Sequence, residues 1–200
     1  MMNLYEIRER LLSSGKAVFN MAQLSNLLGI PRDHAKVYAS RLVERGWAWR
    51  PMRGMIALTR DEFVIATQLI EPSYMSMHSA LYLLGLVDQV PFRIECVTTR
   101  YSIEISGIRY RRVVPRLFFG YRRMERSGSY VFVALPEKAV LDMVYFGYPP
   151  PERILSEVSI PMLKEMTKRY SGERGYRARR VVRWVKSVAH QRGDLAVSEG

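Results

Sequence analysis

One stretch of the sequence carries basic and hydrogen-bonding side chains at a spacing that suits contacts with DNA. Residues 32–45 have helical periodicity, with small and apolar side chains on one face and basic side chains on the other. A helix of this kind fits the major groove, where Arg and Lys donate to guanine edges and to phosphates. The outward side chains that we predict to contact DNA are Arg32, His34, Lys36, Ser40 and Arg41.

A second group of candidate DNA contacts follows this helix. Residues 47–50 and 55–59 have the pattern of two short strands, separated by a turn over 51–54. A basic side chain on such a hairpin can reach a neighbouring phosphate or the minor groove, so we predict that Arg50 and Arg53 contact DNA. In the alternative interpretation, all these charges are solvated on a small helical domain that binds another protein.

Two carboxylates and a lysine in a later segment raise the question of catalysis, because such groups can support metal-dependent phosphoryl chemistry. Glu137 and Lys138 are adjacent and point about 100° apart on a helix, and Glu137 and Asp142 are five positions apart, which aligns them poorly. Glu137 also suits the first turn of a helix, where a carboxylate complements the helix dipole. We therefore expect a structural role for this group.

The other reactive side chains form no recognisable centre. His34, His78 and His190 lie in three different predicted helices, and Cys96 is the single cysteine, so neither a metal centre nor a disulfide is expected. The sequence contains neither of the common glycine-rich nucleotide-binding loops. We expect a protein that uses no cofactor and is not an enzyme.

The overall charge favours a polyanionic partner. The chain has 31 Lys and Arg against 19 Asp and Glu, a net charge of +12, and all but six of the basic residues are Arg. Residues 168–192 hold nine of these basic side chains against one Glu, and residues 100–126 hold eight Arg against two Glu. Nucleic acid is therefore the preferred partner, ahead of an anionic membrane surface. Possible additional contacts lie at Arg177, Arg179, Arg180, Arg183 and Lys186.

The elements that must position these residues suggest two small domains. The first 60 residues predict three helices and a hairpin, which is the arrangement of a winged helix-turn-helix, and we assign residues 1–62 to it. Residues 63–192 predict a mixed α+β domain with a small, mostly antiparallel sheet and C-terminal helices. Residues 193–200 are predicted to be a flexible tail, and the fold class is α+β.

The N-terminal segment and the longest charge-free segment decide the expected location. Charged residues interrupt the first 12 positions, where a signal peptide would need an apolar core. The run over residues 72–87 is too short and too polar to span a bilayer. We expect a cytoplasmic protein.

Four segments of the second half form an ordered series. They are YMSMHSAL at 74–81, GL at 85–86, ECVTT at 95–99 and PEKAVLD at 136–142. With the predicted N-terminal domain before it, this series resembles the AbiEi family, the antitoxins of type IV toxin–antitoxin systems. The resemblance covers roughly residues 3–190, and the S-A-L…G-L and P-E-K-A-x-L-D pieces are its most specific parts.

The resemblance implies a repressor with a second activity. The winged helix would bind double-stranded DNA at the protein's own promoter, with inverted repeats as the expected operator, and repress transcription. The second domain would counter a nucleotidyltransferase-like toxin encoded alongside it. Antitoxins of this type are thought to antagonise the effect of the toxin without a stable complex, so a toxin-binding surface is not assumed.

A different class of function remains as the alternative. The Arg-rich C-terminal domain could belong to an RNA-binding factor or an RNA-modifying enzyme, with the first domain as an auxiliary module. Aromatic side chains interleaved with the arginines could then stack on unpaired bases, although strand alternation favours a core role for them. These aromatics are Tyr101, Tyr110, Phe118, Phe119 and Tyr121.

Overall fold

A computed structural model describes the backbone of residues 3–198 and the side chains of residues 3–191. The described chain is α+β, with nine α-helices, a two-stranded sheet and a six-stranded mixed sheet, which confirms the predicted fold class. The chain forms two compact units. The first contains the residues up to Ser73 and the segment Arg123–Phe132, and the second contains Tyr74–Arg122 and the residues from Val133 onward.

The first unit combines helices with a short antiparallel strand pair. Its elements are α1 (Leu4–Ser13), β1 (Val18–Asn20), α2 (Met21–Leu28), α3 (Arg32–Glu44), β2 (Met55–Ala57) and α4 (Glu62–Leu69). Strand β1 pairs with β2, with Phe19 opposite Ile56. Apolar faces of α1, α2 and α3 meet these strands in one core, which includes Ile7, Leu11, Leu24, Ala35, Leu42 and Ile56.

Local signals in the sequence explain the helix bounds. The Asn20 side chain accepts hydrogen bonds from the amides of Ala22 and Gln23, and the Gln23 side chain accepts one from the Asn20 amide, so α2 begins with a capping box. Helix α2 ends at Gly29, whose φ of 66° suits glycine. The sequence predicts Asn20 as the cap and Gly29 as the stop of this helix, because these residue types favour those positions, and the structure confirms both.

The predicted hairpin differs from the structure in its first strand. Only Trp49 of residues 47–50 pairs with β2, through an isolated bridge to Ala57. The longer partner of β2 is β1, a segment from the other side of α2 and α3. Pro51 has no amide proton and follows Trp49 almost directly, so the chain turns before a longer ladder can form.

The second unit continues with more strands and helices. They are β3 (Ser73–Met75), α5 (Met77–Leu83), β4 (Ile94–Thr98), β5 (Ile103–Ile105), β6 (Ile108–Arg112), β7 (Tyr121–Arg126), β8 (Ser129–Ala134), α6 (Pro136–Phe146), α7 (Ile154–Glu157), α8 (Ile160–Ser171) and α9 (Tyr176–Ser198). The turn-side parts of β7 and β8 belong to the segment assigned to the first unit. The sequence predicts a helix over 136–146 and two helices within 159–192, separated by residues 171–175, and α6, α8 and α9 confirm these helices.

The six-stranded sheet is mixed, so the prediction of a mostly antiparallel sheet is wrong. Its strand order is β5-β6-β4-β3-β8-β7, with β4 parallel to β6 and β3 parallel to β8. The chain reaches β5 at the sheet edge and reverses at Ser106-Gly107, where both residues have positive φ, as a type I′ turn requires. Strand β6 therefore returns between β5 and β4, parallel to β4.

The sequence misplaces one further strand. Residues 117–121 are predicted as a strand, but Leu117 ends a short 3-10 helix over Pro115–Leu117, and β7 begins only at Tyr121. Pro115 fixes a helical φ at the start of this turn. The intervening aromatic residues pack into the second unit instead of extending a strand: the ring centroids of Phe118 and Tyr74 are 5.0 Å apart.

The C-terminal helices pack through a narrow apolar stripe. The spacing of Val181, Val185 and Val188 predicts an apolar stripe on one helix face. All three are buried on α9, together with Ala178, which confirms the stripe. Helix α9 includes residues 193–198 of the predicted tail, while side chains from residue 192 onward and the backbone of residues 199–200 lie outside the described part of the chain. Within the described residues, no helix is long and apolar enough to cross a membrane.

Candidate nucleic-acid interface

Helix α3 presents one buried and one exposed face, as its periodicity predicts. Ala35, Ala39 and Leu42 are fully buried in the core of the first unit. The opposite face carries the predicted contacts: Arg32, His34, Lys36 and Arg41 are exposed, and Ser40 is half-buried. The structure therefore brings the five predicted helix contacts to the outward side of one helix.

An acidic side chain that sequence reasoning omitted lies among these basic ones. The Nζ atom of Lys36 is 2.8 Å from an Oδ1 atom of Asp33. The hydrogen bond and the charge of Lys36 lower the pKa of the Asp33 carboxyl, so this group is ionised at neutral pH. Since carboxylates accept from the cytosine amino group in the major groove, Asp33 adds an acceptor to a face of donors. Its spacing of three residues before Lys36 is the signal that could have found it.

A hydrogen bond joins the loop before β2 to helix α3. The Nη2 atom of Arg50 donates to the Oγ atom of Ser40 over 2.9 Å. Two predicted contacts, one from the helix and one from the hairpin, therefore lie side by side. Sequence reasoning predicted each residue separately but could not predict their bond, because ten residues separate them.

The loop over residues 50–54 is short and ends close to the β-structure. Arg53 is exposed there, next to Gly54, whose φ of 77° is unfavourable for other residues. Behind the loop, the Trp49 indole donates to the Thr59 carbonyl over 2.7 Å. The guanidinium of Arg60 lies 4.6 Å from the Trp49 ring, so Arg60 is a further exposed cation that the prediction omitted.

A buried glutamine holds the β1 segment of this unit in place. The Oε1 atom of Gln68 accepts hydrogen bonds from the amides of Ala17 and Val18 at 2.9 and 3.1 Å. Its Nε2 atom donates to the Ser129 hydroxyl and to the Tyr130 carbonyl at 3.0 and 2.9 Å. All donors and the acceptor of this amide are used, so Gln68 ties residues 129–130 to the strand pair below the loop.

The turn of the β7–β8 hairpin has its own anchor in the first unit. Asp61 accepts a hydrogen bond from the Ser127 hydroxyl over 2.6 Å, and the Nε atom of Arg126 lies 2.7 Å from the same carboxylate oxygen. Burial opposes ionisation of Asp61, but the bonds from Ser127 and Arg126 outweigh it and lower its pKa. Asp61 also caps α4 through the amides of Phe63 and Val64.

The additional basic contacts predicted on α9 divide into two kinds. Arg177, Arg179, Arg183 and Lys186 are exposed. Arg180 instead donates from Nε to the Val144 carbonyl and from Nη2 to the Tyr145 carbonyl, at 2.7 and 2.6 Å. It satisfies carbonyls at the C-terminal end of α6, which is a structural role that cations commonly fill.

The predicted acid and lysine group is buried. Lys138 and Asp142 are both fully buried and form an ion pair one turn apart on α6. The Lys138 ammonium also donates to the Tyr170 hydroxyl over 2.8 Å. Asp142 accepts hydrogen bonds from Ser76 and Tyr74 at 2.7 and 3.0 Å. Sequence reasoning compared Glu137 with each of them and missed the i, i+4 spacing of Lys138 and Asp142.

The environment of this pair favours structure over catalysis. Burial lowers the pKa of Lys138, although the Asp142 charge opposes this, and burial raises the pKa of Tyr74 and Tyr170. Glu137 points elsewhere and accepts a hydrogen bond from the Ser159 amide over 2.9 Å, at the start of α8. The three groups therefore do not converge on one open centre.

Substitution of Gly120 by alanine is expected to destabilise the protein by about 1–2 kcal/mol from backbone strain alone, because its φ of 71° is left-handed. A new Cβ atom would also lie 3.1 Å from Cβ and Cγ of the buried Lys138, which adds to this cost. Gly85→Ala is the matched control: its φ is 72°, with no atom within 4 Å of the new Cβ. Urea denaturation of both variants should give a larger loss at Gly120, and equal losses would contradict a tight contact with Lys138.

The aromatic residues of 100–126 are divided between core and surface. The Tyr121 ring stacks on Tyr74 with centroids 4.8 Å apart, and Phe119 packs on Tyr170. Tyr110 is buried, whereas Tyr101 is 54% exposed. The core role expected for these aromatics is confirmed for the packed residues, and Tyr101 is the exception.

The described residues contain no group of three or more His, Cys, Asp or Glu side chains that could hold a metal ion. No protein-family model and no curated protein matches the sequence.

Proposed function

We propose that the protein binds double-stranded DNA through a winged helix-turn-helix, with α3 in the major groove and the loop over 50–54 as the wing. The observation that carries this proposal is the division of α3 into a buried apolar face and an exposed face with Arg32, Lys36 and Arg41. The bond between Arg50 and Ser40 supports the proposal, because it joins the loop over 50–54 to that face. Together they present mainly hydrogen-bond donors, with the Asp33 carboxylate as an acceptor among them.

The start of α3 adds to the attraction for phosphate. Pro31 precedes the helix and provides no side-chain cap for its first amides. Free amide groups and the positive end of the helix dipole favour an anion at this position. Arg32 and His34 are exposed in the same turn, and the Asp33 carboxylate between them is paired with Lys36, so a phosphate there would meet both backbone and side-chain donors.

The resemblance to AbiEi antitoxins supports a more specific role. We extend the proposal to a repressor of its own operon whose second unit counters a nucleotidyltransferase-like toxin. A dimer on DNA would need inverted half-sites about one helical turn, or ~34 Å, apart. A stable complex with the toxin is not part of the proposal.

The DNA-binding function is tested with the full chain and the DNA upstream of its own gene. We expect a gel shift with this fragment at concentrations that leave a shuffled fragment of equal length unbound. The affinity should fall steeply as salt is raised, because bound phosphates release counterions. Equal affinity for both fragments would overturn sequence-specific binding.

The antitoxin function needs a separate experiment. The full chain is co-expressed with a neighbouring reading frame that inhibits growth, and rescue of growth is scored. The Lys36→Ala, Arg41→Ala double variant should rescue growth as well as the wild type when both are expressed from an unrelated promoter. Failure of the wild type to rescue would overturn the antitoxin role and leave DNA binding untouched.

Replacing Arg53 with alanine is expected to weaken binding to all DNA fragments by a similar factor. The exposed Arg53 is proposed to contact a phosphate, and such a contact carries no direct sequence information. The slope of log affinity against log salt should decrease by roughly one phosphate contact, or about 0.9. If the variant instead loses discrimination at one base pair, the wing reads sequence.

A further inference from the structure

A cavity of about 310 Å³ lies in the second unit, away from the buried Lys138 and Asp142 pair. This volume is at the lower end of the range for small-ligand sites, ~300–1,000 Å³. Residues from α5, β4, β6 and the loop before β4 surround it, together with Tyr148. Its lining includes His78, Phe92, Arg93, Glu95, Arg109 and Tyr148.

A carboxylate forms the buried part of this cavity. The side chain of Glu95 is only 12% exposed, and its Oε1 atom is 3.6 Å from the Nε atom of Arg111. Burial raises the pKa of Glu95, while the charges of Arg111, His78 and Arg93 oppose the rise. A carboxylate that is costly to bury and faces a cavity is an acceptor suited to a ligand's N–H groups.

The arginine that pairs with Glu95, Arg111, makes several further contacts in the second unit. Its guanidinium donates to the Tyr148 hydroxyl and lies 5.1 and 5.0 Å from the rings of Phe146 and Tyr148. Its Nε atom is buried and has no hydrogen-bond acceptor among the described residues. Arg111 therefore fixes the position of Tyr148 and holds positive charge close to the Glu95 carboxylate.

The rim of the cavity is cationic. Arg93 and Arg109 both line it and share a single carboxylate, that of Glu104, at 3.1 and 2.7 Å. With Arg111 and Glu95 included, three guanidinium groups face two carboxylates around this cavity, which leaves a net charge of +1. Guanidinium groups bind phosphate oxygens through paired hydrogen bonds, so the rim favours a phosphorylated ligand.

A highly exposed aromatic side chain lies beside this rim. Phe92 is 94% exposed, and its ring lies 5.4 Å from the Arg93 guanidinium. Exposure of a whole phenyl ring costs free energy that burial would recover. Because nucleobases stack on such rings, Phe92 provides a stacking surface next to a phosphate-binding rim.

We infer that this cavity binds a guanine base that carries a phosphate. The base would donate to the Glu95 carboxylate and stack on Phe92, and the phosphate would lie against Arg93 and Arg109. Among the common bases, guanine alone offers two adjacent N–H donors on its Watson–Crick edge, which match the two oxygens of a carboxylate. Adenine and cytosine place an acceptor beside their amino group, and that acceptor would face the carboxylate unfavourably.

The experiment compares GMP and AMP on the full chain by calorimetry. GMP should bind about 10- to 100-fold more tightly than AMP, which is the discrimination typical of a bidentate contact. Glu95→Gln should abolish this preference because an amide presents one donor and one acceptor. Phe92→Ala should weaken both nucleotides, and since Phe92 is exposed this variant tests the cavity even if Glu95→Gln fails to fold.

Controls and a second ligand complete the test. Tyr101→Ala removes another exposed aromatic that does not line the cavity, and it should leave GMP affinity unchanged. A single-stranded RNA pentamer with one central G in a run of U identifies the source of the base: tighter binding than GMP indicates an RNA strand, and weaker binding a free nucleotide. Equal affinities for GMP and AMP, or no heat from GMP at millimolar concentration, would overturn the inference.

Discussion

Replacing both Lys36 and Arg41 with alanine is expected to reduce binding of the protein to its own upstream DNA to the non-specific level. Both side chains are exposed on the outward face of α3, and each contact of this kind contributes about 1–3 kcal/mol. The loss should therefore reach about 100-fold or more in a gel shift. Neither residue belongs to the core, so the circular dichroism spectrum should remain that of the wild type.

The Lys36 ion pair with Asp33 does not weaken this expectation. Both partners are largely exposed, and solvent screening makes such pairs weak, so the ammonium can exchange its carboxylate for a phosphate or a base. Removal of Lys36 would also leave Asp33 facing the negative DNA without its partner. The loss at Lys36 should consequently exceed that of a phosphate contact alone.

A charge-matched variant separates this specific surface from the general positive charge. The Arg10→Ala, Arg45→Ala double variant also removes two positive charges, from exposed positions on α1 and at the end of α3. Its affinity for the upstream fragment should decrease by a factor of only a few, with specificity unchanged. Similar losses in the two double variants would show that α3 attracts DNA only through its charge.

Sequence patterns predicted the first unit better than the second because its signals are local. The capping residue Asn20 and the stop residue Gly29 act within one helical turn of α2. The buried and exposed faces of α3 follow directly from a period of 3.6 residues. Asp33 was within reach of the same reasoning, whereas the bond between Ser40 and Arg50 depends on how the chain returns after the helix.

The structure of the second unit depends on contacts between residues that are far apart in the sequence. The periodicity of apolar residues gives no information about such contacts. Strand β3 is three residues long and exists because β8 pairs with it from far along the chain. The Asp142 carboxylate is satisfied by Ser76 and Tyr74, more than 60 positions earlier. Of the contacts around Asp142, the sequence could indicate only the pair with Lys138, through its i, i+4 spacing.

The ion pairs within the protein also change what the distribution of basic residues implies. Several arginines in 100–126 are engaged within the protein: Arg109 with Glu104, Arg111 with Glu95 and Arg126 with Asp61. A count of basic residues therefore overstates the positive charge that a nucleic acid meets on these strands. The exposed cations of α3 and α9 therefore support a polyanionic partner more strongly than the number of arginines in 100–126 does.

Replacing Asp142 with alanine is expected to destabilise the protein by about 3–5 kcal/mol, because the Lys138 ammonium would remain fully buried without its counter-charge. The hydroxyls of Ser76 and Tyr74 would lose their acceptor as well. Domains of this size have a total free energy of unfolding of about 5–15 kcal/mol, so the second unit should be close to unfolding at 37 °C. Urea denaturation followed by circular dichroism measures the change.

A double-mutant cycle distinguishes a coupled pair from two independent buried groups. Lys138→Met combined with Asp142→Ala should lose about 0.5–3 kcal/mol less than the sum of the single losses, because the apolar methionine needs no counter-charge. Glu165→Ala serves as the control: it breaks an exposed pair with Lys168, and its effect should stay within about 1 kcal/mol. Additive losses in the cycle, or an Asp142→Ala variant as stable as the Glu165 control, would mean that the buried bonds of α6 do not hold this unit together.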